Sequence, residues 1–253
     1  MATYPVALDT RLAFQMKACT YAEFLAATPL NRTLLAVRGA EARQDAASQW
    51  FLAGFPDVLH WIVVVSEESP ETAILLPLLA RLAASSVRLD LRVVRDTEGF
   101  DELAAWLEEC GTPDVLNDAD LPLLFMFDED WQLQEQWGPF PQAMEPYLEE
   151  WLERHPEYET LAEDETFDPQ STPNAVAEDA VVENGAGGAT PEAQAAYAAL
   201  LDLLGWEMRV WFNSGLDVAC AQEICDLMRG LMDEDSEDDG SDSDGSDSDE
   251  GDE

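Results

Sequence analysis

The chain has 253 residues, 47% of them hydrophobic, and its 54 Asp and Glu against 12 Lys and Arg give a formal net charge of −42 at pH 7. That length and apolar content suffice for one or two domains with a sizeable core and exclude wholesale disorder. Residues 233–253 hold 13 of the acids and none of the bases, yet the remainder is still strongly anionic and its arginines are scattered singly. Such a surface repels nucleic acid and anionic lipid, so neither is an expected partner.

The basic residues are one lysine, Lys17, and eleven arginines. Many carboxylates with almost no lysine is a composition suited to molar salt, where a Debye length of roughly 3 Å screens self-repulsion. The expectation is a salt-adapted protein that loosens on desalting. No basic segment precedes an apolar run near residue 1, and the longest apolar runs, at residues 61–65 and 73–80, fall far short of a membrane span, so a soluble cytoplasmic protein is expected. Cys19, Cys110, Cys220 and Cys225 form neither a CxxC pair nor a zinc-ligand pattern. They read as four packed thiols, with no metal and no cofactor.

In chain order, Thr20-Tyr-Ala-Glu23 has the form of a capping box, and apolar residues at helical spacing through Phe55 predict two or three helices in residues 1–56, an N-terminal helical extension. Leu59-His-Trp-Ile-Val-Val-Val65 is β-branched and apolar on both faces, as in the central strand of a covered sheet. In the next segment Ser69 suits an N-cap, Pro70 the first helical position and Glu71 the positive end of the helix dipole, with Pro77 inside the helix that follows. Residues 87–93 alternate as a strand does, residues 100–110 make a short amphipathic helix ended by Gly111, and residues 122–127 and 131–137 form a hairpin. A helix over 142–155 closes a β-α-β-α-β-β-α unit spanning 57–155. Residues 156–189 are polar and rich in Pro and Gly and read as a disordered acidic linker. Two helices are predicted over 190–232, and 233–253 reads as a disordered acidic tail that gathers small cations diffusely. A calcium loop at 235–246 is not expected, because the closing Glu is missing.

The segments His60-Trp-Ile-Val-Val-Val-Ser66, Leu76-Pro-Leu-Leu-Ala-Arg-Leu82, Leu89-Asp-Leu-Arg-Val-Val-Arg-Asp96, Leu121-Pro-Leu-Leu-Phe-Met-Phe-Asp128 and Trp137-Gly-Pro-Phe-Pro141 resemble those of a bacterial thioredoxin-like family. The resemblance covers about residues 20–155 and extends weakly to Val210-Trp-Phe-Asn213. It implies an α/β, thioredoxin-like fold, a central mixed sheet flanked by helices, with extra helices at both ends. In that family the loop after the first core strand reads Trp-Cys-Gly-Asp and the cysteine is the nucleophile. Aligned on Pro77, this chain has Ser69 at the cysteine, Pro70 and Glu71 after it, Thr72 where a resolving cysteine would stand, and Pro122 at the cis-proline. Leu123 and Phe140 replace basic residues often found in the family.

The resemblance therefore implies a degenerate active-site loop, Ser69 to Thr72, with no catalytic residue. The expected function is a binding or scaffold module, holding a protein or peptide client in the groove near Ser69 and Pro122. The alternative is a thiol-disulfide oxidoreductase using a non-standard cysteine, with Cys110 the candidate. Ser69 as a nucleophile would need His60 or His155 as its base. Glu67, Glu68 and Glu71 read as helix-start chemistry rather than a cation site. Most of the eight tryptophans are assigned to the core, with Trp131 and Trp137 the candidates for a displayed face.

Overall fold

The structure, a computed structural model, describes residues 8–112, 115–116, 120–162 and 190–234. Four helices precede the sheet where two or three were expected: α1 (Leu8–Lys17), α2 (Tyr21–Ala27), α3 (Arg32–Glu41) and α4 (Ala46–Gly54). The Thr20–Glu23 capping box is complete, with the Glu23 N–H donating to Thr20 Oγ1 (3.2 Å) and the Thr20 N–H to Glu23 Oε2 (2.8 Å). The unit that follows is β1 (Leu59–Val65), α5 (Pro70–Ala83), β2 (Leu89–Arg95), α6 (Phe100–Glu109), β3 (Leu123–Phe127), β4 (Leu133–Trp137) and α7 (Glu145–Arg154). A 3-10 turn, Gln142–Met144, introduces α7 where a single helix from 142 was expected.

The four strands lie in the order β2-β1-β3-β4, with β1 parallel to β2 and β3 antiparallel to both β1 and β4. Helices cover both faces. Ile62, Val64, Phe125 and Phe127 pack with Phe14 of α1 and with Leu103, Trp106 and Leu107 of α6. Trp61, Val63, Leu124 and Met126 face the opposite layer, which α5 dominates. Residues 61–65 have no accessible surface, and each side chain of that size buried from water contributes about 1.5–3 kcal/mol. The two-faced apolar pattern of β1 is thus the direct cause of its central place.

Behind the sheet unit come α8 (Glu157–Ala162), α9 (Pro191–Trp211) and α10 (Asp217–Glu234), the last two joined by a π-helical turn, Phe212–Leu216, in which Gly215 has φ 140. The α8 helix corrects the expected linker: residues 157–162 are helical because Tyr158 packs edge-on against Trp151 (5.3 Å, 81°). The remainder of that linker, 163–189, and the tail from 235, with its expected cation cloud, lie outside the described residues.

α9 and α10 do not stand apart from the sheet unit. Leu204 and Met208 of α9, with Cys220, Ile224, Cys225 and Met228 of α10, join the core that α5 and β1 form. A buried ion pair fixes them to α3: Arg38 Nη2 donates to Asp217 Oδ1 at 2.6 Å and Arg38 Nη1 to Asn213 Oδ1 at 2.9 Å. The other Asp217 oxygen accepts the Arg43 N–H (3.0 Å), and Arg209 and Asn213 both donate to Glu41. Among the described residues, helices α2 to α4, the sheet unit and α9 and α10 therefore share one core. No helix among the described residues is long and apolar enough to cross a membrane.

Candidate functional site

The N-terminus of α5 and the loop before it meet the start of β3. Ser69 is the N-cap, with extended backbone (φ −67, ψ 127), and its Oγ accepts the Thr72 N–H at 3.1 Å while its hydroxyl donates to Glu71 Oε2 at 2.7 Å. The serine thereby satisfies one of the orphan N–H groups of the helix start. Pro70 is buried at the first helical position, and Thr72 is 2% exposed, its hydroxyl unpartnered among the described residues. The Leu121–Pro122 bond ahead of β3 is cis, as is Gly138–Pro139 after β4. Gly138 (φ +130) is required there, since a Cβ would stand 2.4 Å from the Pro122 carbonyl oxygen. That close approach holds Pro139 and Phe140 beside the cis-proline.

Two adjoining cavities open at this point. One, of about 500 Å³, is lined by Ser66, Ser69, Glu71, Asp120, Leu121 and Trp151 among others; its neighbour, of about 540 Å³, shares Ser66, Ser69 and Glu71 and adds Glu67, Glu68 and Tyr197. Tyr158 lines both, and its ring stacks on Tyr197 (5.5 Å, 22°). The sequence brings Ser69, Pro70 and Glu71 to this place, with Pro122 one residue beyond the cavity-lining Leu121. It missed Trp151, Tyr158 and Tyr197, because Tyr158 sits in a stretch that reads as linker and Tyr197 on a helix with no assigned docking.

α9 covers the helix start. At Gly205 a Cβ would fall 2.8 Å from Leu34 Cδ2 and 3.2 Å from Pro70 Cβ, so the helix backbone lies directly on Pro70. Leu201 and Leu204 of the same helix wall the two cavities. What lies beside Ser69 is therefore a pair of roofed cavities.

No Lys, Arg or His lines either cavity among the described residues. Burial raises the Glu71 carboxyl above the usual carboxylate range, against the hydrogen bond from Ser69. Burial, then the hydrogen bond with Tyr197, pushes the Tyr158 phenol well up. Glu67 is taken by Arg95, with which it forms an ion pair, and by the Thr28 hydroxyl (2.9 Å). Asn31 donates to the Glu67 and Glu68 carbonyls (3.0 and 3.2 Å), which pins the loop to the start of α3. No group of three His, Cys, Asp or Glu suited to a metal occurs among the described residues.

The remaining candidates fall elsewhere. His60 stacks on Trp131 (4.1 Å, 11°) and His155 packs on Trp151, and neither lines a cavity with Ser69, whose hydroxyl is given to Glu71 instead. Every cysteine has a raised thiol pKa: burial dominates for Cys19 and Cys110, Cys220 stands well above its ordinary value, and Cys225 is pushed to about 11. Cys110 caps the C-terminal end of α6, where the helix dipole disfavours a thiolate. All four are packed thiols, Cys220 and Cys225 buried in the core and Cys19 and Cys110 half-buried against it. The displayed tryptophans are also different ones: Trp137 is buried and Trp131 half-buried, whereas Trp50 is 82% exposed.

The chain matches no family model, and no curated protein matches it. Among solved structures it is similar to a protein of unknown function from Pseudomonas aeruginosa, with a TM-score of 0.50 and 15% identity over 91% of this chain and 99% of that one. An HIV epitope-scaffold is similar at a TM-score of 0.49 and 14% identity, over 87% of this chain and 97% of that one. At 15% identity the Pseudomonas likeness concerns the fold alone, a mixed α/β architecture.

Proposed function

We propose that the chain is a thioredoxin-fold binding module without thiol-disulfide exchange. The strand order and the helix that follows the first core strand support that reading of the fold. One observation carries the loss of exchange: the atom capping α5 is the Ser69 oxygen, and no thiol lines the cavities beside it. Exchange needs a thiolate, which a helix N-terminus supplies by lowering a cysteine pKa. The same dipole acts on a hydroxyl whose intrinsic acidity is far weaker, and oxygen forms no mixed disulfide with a client.

The client site is the pair of cavities beside Ser69. Because α9 lies on Pro70, a client reaches it with a side chain or a small group rather than by laying an extended segment across the helix start. Glu71 and Asp120, with no base in the walls among the described residues, disfavour an anionic group there. The cell interior, at high salt, is the setting that fits the charge. Insulin reduction tests the proposal: the full chain with dithiothreitol should precipitate insulin no faster than dithiothreitol alone. Turnover comparable to an active thioredoxin would end it.

A further inference from the structure

We infer that the outer edge of β4 is a docking site for an extended, lysine- or arginine-bearing peptide, on a surface that adjoins the Ser69 cavities through Pro139 and Phe140. Among the described residues β4 pairs with β3 and with no other strand. The direction of its outer main-chain groups follows from the hairpin end. There the Asp128 N–H donates to the Gln132 carbonyl and the Trp131 N–H to the Asp128 carbonyl, so Asp128 faces the β4 side. By alternation Met126 and Leu124 do the same, and they bond their register partners Glu135 and Trp137. Gln136, between those two, turns its N–H and C=O away from the sheet, and its side chain is exposed.

Alongside this edge runs a groove of about 990 Å³ between β4, the segment after it, and α10. Phe140 and Leu227 supply apolar surface to the groove, and its charged lining is all acidic: Glu135, Glu145, Glu223 and Asp226, the last in an ion pair with Arg229. Glu223 is held in place by hydrogen bonds from the Trp137 indole (2.8 Å) and the Gln142 N–H (3.1 Å), so its charge is fixed at the groove rather than swinging in solvent. A strand added beside Gln136 places alternate side chains over this lining.

Charge selects the occupant. A second copy carries a net charge of −42, and the sequence of residues 163–189 and 235–253 is acidic, so neither offers a charge complementary to the carboxylates of the groove. A strand with basic residues at every second position matches the acids, and apolar residues between them avoid like-charge crowding. Pro139 and Phe140 wall both this groove and the cavity that holds Ser69, so occupancy of the edge bears directly on the candidate site.

Fluorescence anisotropy of the full chain with a labelled eight-residue peptide alternating lysine and valine tests the inference. Three comparisons accompany it: the same peptide with glutamate for lysine, the same peptide fully N-methylated along its backbone, and the Gln136→Pro variant of the protein. The expected result is binding of the lysine peptide, none of the glutamate peptide, and about ten-fold or greater weakening by N-methylation and by Gln136→Pro, with the melting temperature of the variant unchanged. Equal binding of the methylated and parent peptides would show attraction by charge alone and overturn the edge assignment, and that comparison stands even where Gln136→Pro fails to fold. A folded Gln136→Pro protein that binds as tightly as the parent, no binding of the lysine peptide, or a stable dimer in sedimentation would each do the same. None of these outcomes depends on the insulin assay, so the two proposals fail separately.

Discussion

Replacing Asp217 with asparagine takes from the Arg38 guanidinium, which has no accessible surface, the carboxylate it donates to in the middle of the contact between α3 and the C-terminal helices. Removing one partner of a buried pair costs about 3–5 kcal/mol, because the remaining charge is stranded in a poor solvent. Two features set the expected loss near the low end. Asn213 still accepts from Arg38 Nη1, and the amide oxygen of the substituted side chain retains one of the two hydrogen bonds now made by the carboxylate. A loss of about 3 kcal/mol corresponds to a fall in melting temperature of about 6–12 °C for a folded unit of this size. Thermal melts followed by far-ultraviolet circular dichroism, at 0.1 M and at molar salt, measure it. The deficit should persist in both, since a dry pair is screened far less than a surface pair. The double variant Arg38→Met with Asp217→Leu should recover most of the loss by removing both charges. A single-variant loss below about 1 kcal/mol would refute the claim that this pair holds the C-terminal helices in the core.

Opposite pH behaviour is expected at two glutamates. The folded pKa of Glu71 is raised, so the stability it contributes is present below its unfolded value and lost as pH rises through the folded one; the melting temperature of Glu71→Gln relative to the parent should therefore climb as pH rises above 4.5. Glu41 is lowered to about 2 by its hydrogen bonds from Arg209 and Asn213, so its contribution is present above 4.5 and lost towards 2, and the deficit of Glu41→Gln should shrink over that window. Ser69→Ala should cost about 1 kcal/mol in urea unfolding through loss of the N-cap, and Ser69→Asp should not restore it near neutral pH, since a carboxylate there faces Glu71 instead of donating to it. The melting temperature of the parent should rise by several degrees between 0.1 M and molar salt, and a flat response would contradict the salt-adapted reading.

Much of the sheet unit was legible in local pattern. A run apolar on both faces marked β1, Ser69-Pro70-Glu71 marked the start of α5, and Gly111 marked the end of α6, because each signal lies within a few residues of the feature it sets. Boundaries shifted where pattern and pairing diverge. The alternation that begins at Val87 precedes β2, which pairs from Leu89, and Val87 itself is fully exposed. The hairpin turn runs past Trp131, whose φ of 64 takes it out of the strand.

The roof of the site was not legible. Tyr158 meets Tyr197 from the far side of the segment 163–189, and Arg38 meets Asp217 across 179 residues, spans over which local pattern carries no information. α8 is too short and too polar to declare itself by periodicity. Its helix exists because Tyr158 has Trp151 and Tyr197 to pack against. The glycine at 205 was equally silent, since what demands it is the approach of α9 to Leu34 and Pro70.

Incubating the native full chain with glutathione disulfide and counting adducts by mass spectrometry probes the absent sulfur most directly. No cysteine should form a mixed disulfide faster than a free model thiol, with Cys220 and Cys225 unmodified until the chain unfolds. A rapidly formed glutathione adduct on any one of the four in the folded protein would contradict the account.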